Sequence, residues 1–398
     1  MTQVHRRTLL QAGLVAGAAV PVFGRSGPAF AASRPALTHG VQSGDATADS
    51  AIVWTRADRP SRMWVTVSDT PSFRRSRLVR GPVLTPDTDF TGKVRIPGLV
   101  PGARTYYRVH AEDLDSGTKS EPLTGSLRTA PVRADTIRFT WSGDVAGQGW
   151  GIDPAYGGMR SFAAMRALRP DFFLHSGDTV YADGPLAETV TLPDGRVWHN
   201  IVTPAKSKVA ETLDEYRGQF AYNLLDENLR AFAAEVPQVN QWDDHEVHNN
   251  WYPGQILADT RYAERRVDVL MARARQAYHE WVPVPGAVTD SEGRIYRKLS
   301  YGPLLDLFVL DMRTCKDPNG PNVYTDPTIG LLGTEQRQWL IRELTASSAA
   351  WKVIANDLPL GLVVPDGPGR NEAVAQGDNG APLGRELEFA EVLRTADR

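Results

Sequence analysis

Three apolar runs in this chain each end in acid, and that pattern restricts the possible folds more than any other feature. IRFTWSGD, DFFLHSGD and VPQVNQWDDHE place Asp144, Asp178 and the group Asp243, Asp244, His245 and Glu246 directly after short apolar segments. Runs of this length, bounded by glycine, proline and polar residues, read as buried strands. Met159 to Leu168 has helical spacing between the first two, which predicts a β-α-β unit. LDLFVLDMR and WKVIANDLPL read as two more buried strands, with helical GTEQRQWLIRELTAS between them, and a long helix is expected from Thr260 to Trp281. In a mixed α/β sheet the carboxyl ends of the strands share one edge, so the acids are expected to meet there. Like charges packed in one crevice repel unless protons or multivalent cations neutralise them. A two-cation site is the expected resolution, and such a pair is suited to clamping a phosphate. One Ser-Gly-Asp is ordinary turn chemistry. Two of them bracketing a helix, with a histidine set between acids after Trp242, point to metal.

Composition narrows the partners. The 398 residues leave room for two or three domains, and 41% hydrophobic with 23% charged residues excludes intrinsic disorder. Lys and Arg total 44 against 47 Asp and Glu, a formal charge of −3, so the basic excess of a nucleic-acid or anionic-membrane surface is missing. The single Cys315 cannot form an intrachain disulfide. At the start, Arg6 and Arg7 precede the weakly apolar Leu9 to Phe23 stretch and Ala29-Phe30-Ala31. Residues 1–31 therefore read as a twin-arginine export signal, too short and diluted for the about 20 apolar residues of a membrane anchor. The expected location is secreted, periplasmic or cell-wall associated, with the twin-arginine translocase as a transient partner and no stable membrane anchor.

Between Leu37 and Ala130 the runs SAIVWTRA, RMWVTVSD, GKVRIPGL, TYYRVHAED and GSLRTAP alternate with period two, which predicts a β-sandwich. Gly98 to Val109 resembles the corner and strand of fibronectin type III domains, with Tyr107 expected to pack or bond at that corner. The sandwich is expected over residues 36–131, and no chemistry is assigned to it.

The order Gly-Asp, Gly-Asp-x-x-Tyr and Trp-Asp-Asp-His-Glu followed by Asn-Asn-Trp resembles the PhoD-like alkaline phosphatases, a branch of the calcineurin-like metallophosphoesterases. The resemblance extends to the DMRTCKD strand end, the LGTEQRQWL helix start and GDNGAPLGRELEFAEVLR. It implies an α+β protein: a fibronectin III-like sandwich followed, over residues 135–398, by a four-layer αββα metallophosphoesterase domain. By the same resemblance Asp144 binds the first metal, Asp178 bridges both, Tyr181 binds the first through its phenolate, and Asp244 binds the second. His245 is implied as the catalytic proton donor beside the leaving group or as a phosphate contact. Asp183, Asn249 and Asn250 rank below these, as phosphate contacts or supports behind the ligands. The implied activity is hydrolysis of phosphate monoesters by a metal-bound hydroxide at neutral to alkaline pH, with phosphodiesterase or phospholipase D chemistry on the same site as the alternative.

Two departures bear on the metals. Members with an iron–calcium site carry Asp-x-x-Cys at the first motif, where this chain has Asp144-Val145-Ala146-Gly147. Loss of that thiolate weakens the case for Fe³⁺ and favours a more oxygen-rich site holding Ca²⁺, Mn²⁺ or Mg²⁺. The family also continues into an Asp-Val-His type motif that supplies further ligands, and this sequence stops at Arg398 before it. Either the sequence is a fragment, whose continuation with Asp-x-His restores the enzyme, or the site is incomplete; the expectation attached to a genuine stop is an inactive binding protein with structural Ca²⁺, prone to aggregate or dimerise through an exposed sheet edge.

Overall fold

The computed structural model describes residues 34–286 and 294–396, so the export signal expected over 1–31 lies outside the described residues. Alternation builds the N-terminal sandwich. Along Ser61–Ser68 (β3), Met63, Val65 and Val67 are buried while Arg62, Trp64 and Thr66 are half-exposed. Strands Leu37–Gly44 (β1), Ala51–Ala57 (β2) and Thr91–Ile96 (β5) form one sheet face, and Arg77–Leu84 (β4), β3, Arg104–Asp113 (β6) and Leu123–Arg128 (β7) form the other. Val53, Met63, Val65, Leu84, Val109 and Leu127 close the core between them. β1 and β4 are strands that the period-two runs did not reveal, since β1 is interrupted by a register shift between Leu37 and Val41 and β4 carries two exposed arginines, Arg77 and Arg80, with Gly81 and Pro82 breaking the alternation.

Tyr107 is buried as expected, but its partner lies elsewhere. Its hydroxyl donates to the carbonyl of Ala234 at 2.9 Å, in helix Glu227–Glu235 (α3) of the second half, rather than to the sandwich corner. A buried tyrosine hydroxyl must find an acceptor, and the packed helix end offers one that the local loop does not. Tyr107→Phe is expected to lower unfolding stability by about 0.5–1.5 kcal/mol in a denaturant titration.

The second half continues the first sheet. β1 pairs in parallel with Gln238–Gln241 (β12), and beyond it lie Phe172–Ser176 (β9) and Phe139–Ser142 (β8), giving the order β5-β2-β1-β12-β9-β8. Arg297–Tyr301 (β13), Leu305–Val309 (β14) and Trp351–Ala355 (β15) form a second sheet. Consecutive residues on each strand face opposite layers. Phe172, Leu174 and Val239 meet Leu299, Tyr301, Leu307 and Val309 between the sheets. Phe173 faces the other way, onto Phe162 of Arg160–Ala167 (α1) and Phe232 of α3. Phe308 faces outward onto Leu340 and Leu344 of Gly333–Ala346 (α5) and Phe389 and Val392 of Arg385–Ala396 (α6). The fold is thus a fibronectin III-like sandwich followed by four αββα layers, each fully buried large apolar side chain contributing about 1.5–3 kcal/mol.

Three elements connect the layers to the site. The hairpin Thr189–Thr191 (β10) and Val197–His199 (β11) follows the second Ser-Gly-Asp loop. Leu213–Asn223 (α2) starts on a capping box formed by Thr212 and Glu215. The helix expected from Thr260 begins only at Val267 and runs to Trp281 (α4). Upstream, the Glu211 carboxylate accepts from the amides of Ala263 at 2.5 Å and Glu264 at 2.8 Å, and the amide of Leu257 donates to the carbonyl of Arg265. These bonds hold the segment out of the helical ladder, although its composition favours helix. None of the helices among the described residues is long and apolar enough to cross a membrane.

Candidate metal centre

Strand register brings the acids together. β8 lies parallel to β9 with Ser142 opposite His175, and β9 lies parallel to β12 with Ser176 opposite Gln241. The next residues of all three strands therefore leave the sheet at one edge. Asp144 and Asp178 both sit in the left-handed region, at φ 59° and 51°, a conformation aspartate tolerates better than most residues. The loops clasp each other: the amide of Asp144 donates to the carbonyl of Gly177 at 3.2 Å and that of Val145 to the carbonyl of Asp178 at 3.0 Å. Gly177 is required where it stands, because at φ 89° any added Cβ would lie 2.5 Å from the Cβ of Asp243.

At this edge one ligand atom from each of Asp178, Asp244 and His245 falls within 4.8 Å of the others. Asp178 is buried, and desolvation, followed by the charges of Asp244, Asp243, Glu246 and Asp144, pushes its pKa up to about 11. Burial alone would also raise Asp244. Its carboxyl nevertheless lies below the usual range, because Arg313, His245 and the amide of Asn250, 2.6 Å away, outweigh that cost. The same edge thus disfavours the charged form of Asp178, where a bound cation would offset the cost, and favours the charged form of Asp244.

His245 is oriented by Asp183, whose Oδ1 lies 2.7 Å from Nδ1, leaving Nε2 facing Asp244 Oδ1 at 3.9 Å. Burial opposes its charged form, but Asp183 and Asp244 win and raise its pKa to about 9. The ring stacks on Tyr181 at 4.1 Å between centroids and 25° between planes. The Tyr181 hydroxyl donates to Asp144 Oδ1, which ties Asp144 to the group, and burial with the Asp178 charge drives the phenol far above its ordinary pKa. Asn249 and Asn250 act through their backbone: the amide of Asn249 donates to Asp183 Oδ2 at 2.8 Å and that of Asn250 to Asp244 Oδ2. The side chain of Asn250 instead donates to Asp366 at 2.9 Å.

The remaining acids of the third motif turn away from the crevice. Glu246 accepts from the amides of Thr179 at 2.5 Å and Asp243 at 2.8 Å, so it staples two metal-edge loops together. Asp243 faces Arg313, whose Nε lies 2.5 Å from its Oδ1. Sequence reasoning did not single out Arg313; its only trace was the DMRTCKD segment after β14. Cys315 lies apart, beside the start of α5, where the Cβ of a residue at Gly333 would meet its Sγ at 3.1 Å. At the first motif the missing cysteine has a steric counterpart: a Cβ at Gly147 would sit 2.4–2.5 Å from the Tyr181 ring. Any side chain at residue 147 would therefore require the Tyr181 ring to shift.

The donor set of carboxylates, one imidazole and one phenol fits hard or borderline cations. Residues 139–398 match the PhoD-like phosphatase family, and residues 24–131 match the N-terminal domain of PhoD-like phosphatases. Alkaline phosphatase D of Bacillus subtilis (strain 168) is 29% identical over 344 residues, covering 81% of this chain and 56% of that protein, so the chain spans little more than half the length of that relative. A solved structure of PhoD superposes with a TM-score of 0.69 at 26% identity, over 91% of this chain and 68% of the other. Purple acid phosphatase PPD1 from yellow lupin (Lupinus luteus) seeds shares the fold, with a TM-score of 0.50 at 13% identity over 81% of this chain and 50% of that one. With its strand-end acids gathered on one edge of an αββα domain, the chain belongs to the PhoD-like phosphatase family.

Proposed function

We propose that this protein is an exported, metal-dependent phosphoric monoester hydrolase of the alkaline phosphatase type. The observation that carries the reading is the gathering of Asp178, Asp244 and His245 within ligand distance at the shared strand edge. Asp178, Asp244 and Asp144 would hold the cations, with Tyr181 beside Asp144. The oxygen-rich set, with Gly147 where a thiolate would be needed, favours Ca²⁺, Mn²⁺ or Mg²⁺ over an Fe³⁺ that relies on a thiolate. When bound, such cations acidify a coordinated water and neutralise the phosphoryl oxygens. His245, held by Asp183 with Nε2 turned to the crevice, would carry the proton to the departing alkoxide. The paired Arg6 and Arg7 support export by the twin-arginine route, and the division into signal, sandwich over 36–131 and hydrolase over 135–398 belongs to the same reading. The partner is the phosphate ester itself, with the translocase met only during export.

Purified protein reloaded with Ca²⁺, Mn²⁺ or Mg²⁺ is expected to hydrolyse a nitrophenyl phosphate monoester faster than its bis-ester or phosphatidylcholine. A preference of about tenfold or more for either diester, roughly 1.4 kcal/mol in transition-state binding, would reassign the substrate class. Turnover of none of the three, with metal bound, would favour a binding protein.

A further inference from the structure

The loop after β14 grips the third acidic motif at three points. Asp311 Oδ1 accepts from the indole of Trp242 at 3.0 Å, Arg313 faces the two aspartates, and Asn319 Nδ2 donates to the carbonyl of Asn250 at 3.0 Å. Arg313 stands at the middle of this grip with only 1% of its side chain exposed. Its Nε reaches Asp243 Oδ1 at 2.5 Å and lies 3.9 Å from Asp357 Oδ2, Nη1 bonds Glu372, and Nη2 lies 3.6 Å from Asp244 Oδ2. That same Oδ2 already accepts from the amide of Asn250, which leaves Oδ1 of Asp244 as the oxygen turned toward His245.

Adjacent aspartates on one tight turn present a sorting problem. Both could enter the cation crevice, and neither would then have a fixed role. A planar guanidinium, which stays charged and donates along several fixed directions, can hold one carboxylate fully and touch the back of the other. A lysine would offer one mobile point charge instead. We propose that Arg313 is a positioning residue for metal binding: it draws Asp243 out of the crevice and fixes Asp244 with Oδ1 presented to the cation. This rests on the reading of the edge as a metal site, and not on which ester is hydrolysed there.

The test must separate positioning from the plain cost of unpaired buried acids. Asp243→Asn with Glu372→Gln removes two of the charges that Arg313 neutralises while keeping the guanidinium. Adding Arg313→Gln to that pair removes the guanidinium while keeping a hydrogen-bonding side chain, with the carboxyls of Asp244 and Asp357 present in both variants. Chelator-stripped proteins are titrated with Mn²⁺ alone by calorimetry, and the melting temperature of each metal-free form is recorded. The double variant is expected to bind Mn²⁺ within about twofold of the parent. The triple variant, at a metal-free melting temperature equal to the double, is expected to bind about 10–100-fold more weakly, the usual cost of losing a group that orients a ligand. Parent-like Mn²⁺ affinity in the triple variant would overturn the proposal, and so would a loss already complete in the double variant. Because no ester enters the experiment, a protein that binds Mn²⁺ in this pattern yet hydrolyses nothing would leave the proposal standing while removing the hydrolase reading.

Discussion

Asp178→Asn is expected to cut phosphate-ester turnover by on the order of 10³-fold, and at the same time to make the metal-free protein more stable. The loss in rate follows from position. Asp178 feels the charges of Asp244, Asp243, Glu246 and Asp144 at the strand edge, and removing its own charge forfeits several kcal/mol of cation-borne transition-state stabilisation. Asp244→Asn is expected to lose activity to a similar degree, with elemental analysis showing depleted metal and the protein remaining soluble. Full activity with unchanged metal content in either variant would exclude that residue from the mechanism. The gain in stability has an electrostatic origin. In the metal-free protein the folded pKa of Asp178, about 11, stands far above its unfolded value near 3.9. Its contribution is therefore complete below about pH 4 and is lost progressively as pH rises toward the folded value. A thermal melt of metal-free parent protein should fall in midpoint across this window more steeply than that of Asp178→Asn, which has no such proton to lose. Added metal should reverse the order, since a ligand that binds only the folded state stabilises it by mass action.

The second large effect belongs to His245. His245→Ala is expected to reduce turnover by about 10²–10⁴-fold, the usual yield of a positioned acid, with metal content unchanged. Loss of metal in this variant would instead make Nε2 a ligand, a role its place beside Asp178 and Asp244 also permits. Asp183→Asn supplies the pH test. In the metal-free parent, Asp183 and Asp244 raise the pKa of His245 against the cost of burial, so activity that needs this proton has a limb that declines toward alkaline pH. Without the Asp183 hydrogen bond and charge the pKa falls below that of the parent, and the alkaline limb of the rate profile should move to lower pH. Cations at the edge act on both proteins alike, so the comparison isolates Asp183. An unmoved limb would assign it to another group.

The acids at strand ends were readable because a parallel sheet converts sequence order into one shared edge; Asp144, Asp178 and Asp244 required only that their preceding runs be strands. The strands that carry Phe172, Phe173 and Phe308 were readable as buried apolar runs, whereas the αββα layering was an implication of the family resemblance. Periodicity misplaced the start of α4, because composition cannot report that Glu211 captures the amides of Ala263 and Glu264. The fibronectin resemblance likewise kept Tyr107 within its own sandwich, whereas its hydroxyl bonds Ala234 in α3, more than a hundred residues along the chain.

What residue types and spacing determined by themselves was that several acids and a histidine would gather at one strand edge, where like charges repel unless protons or cations neutralise them. What only the folded arrangement decided was the assignment of roles within it. Asp243 and Asp244 are chemically identical neighbours, and their separation into a guanidinium partner and a crevice-facing carboxylate depends on Arg313, delivered by a different strand. The tyrosine ring filling the space beside Gly147 likewise arises from a contact between two loops. Local sequence specifies which groups are present, whereas which of them lose water and which meet an opposite charge is fixed by distant segments packed against them, and those two quantities set the state of every acid at this edge.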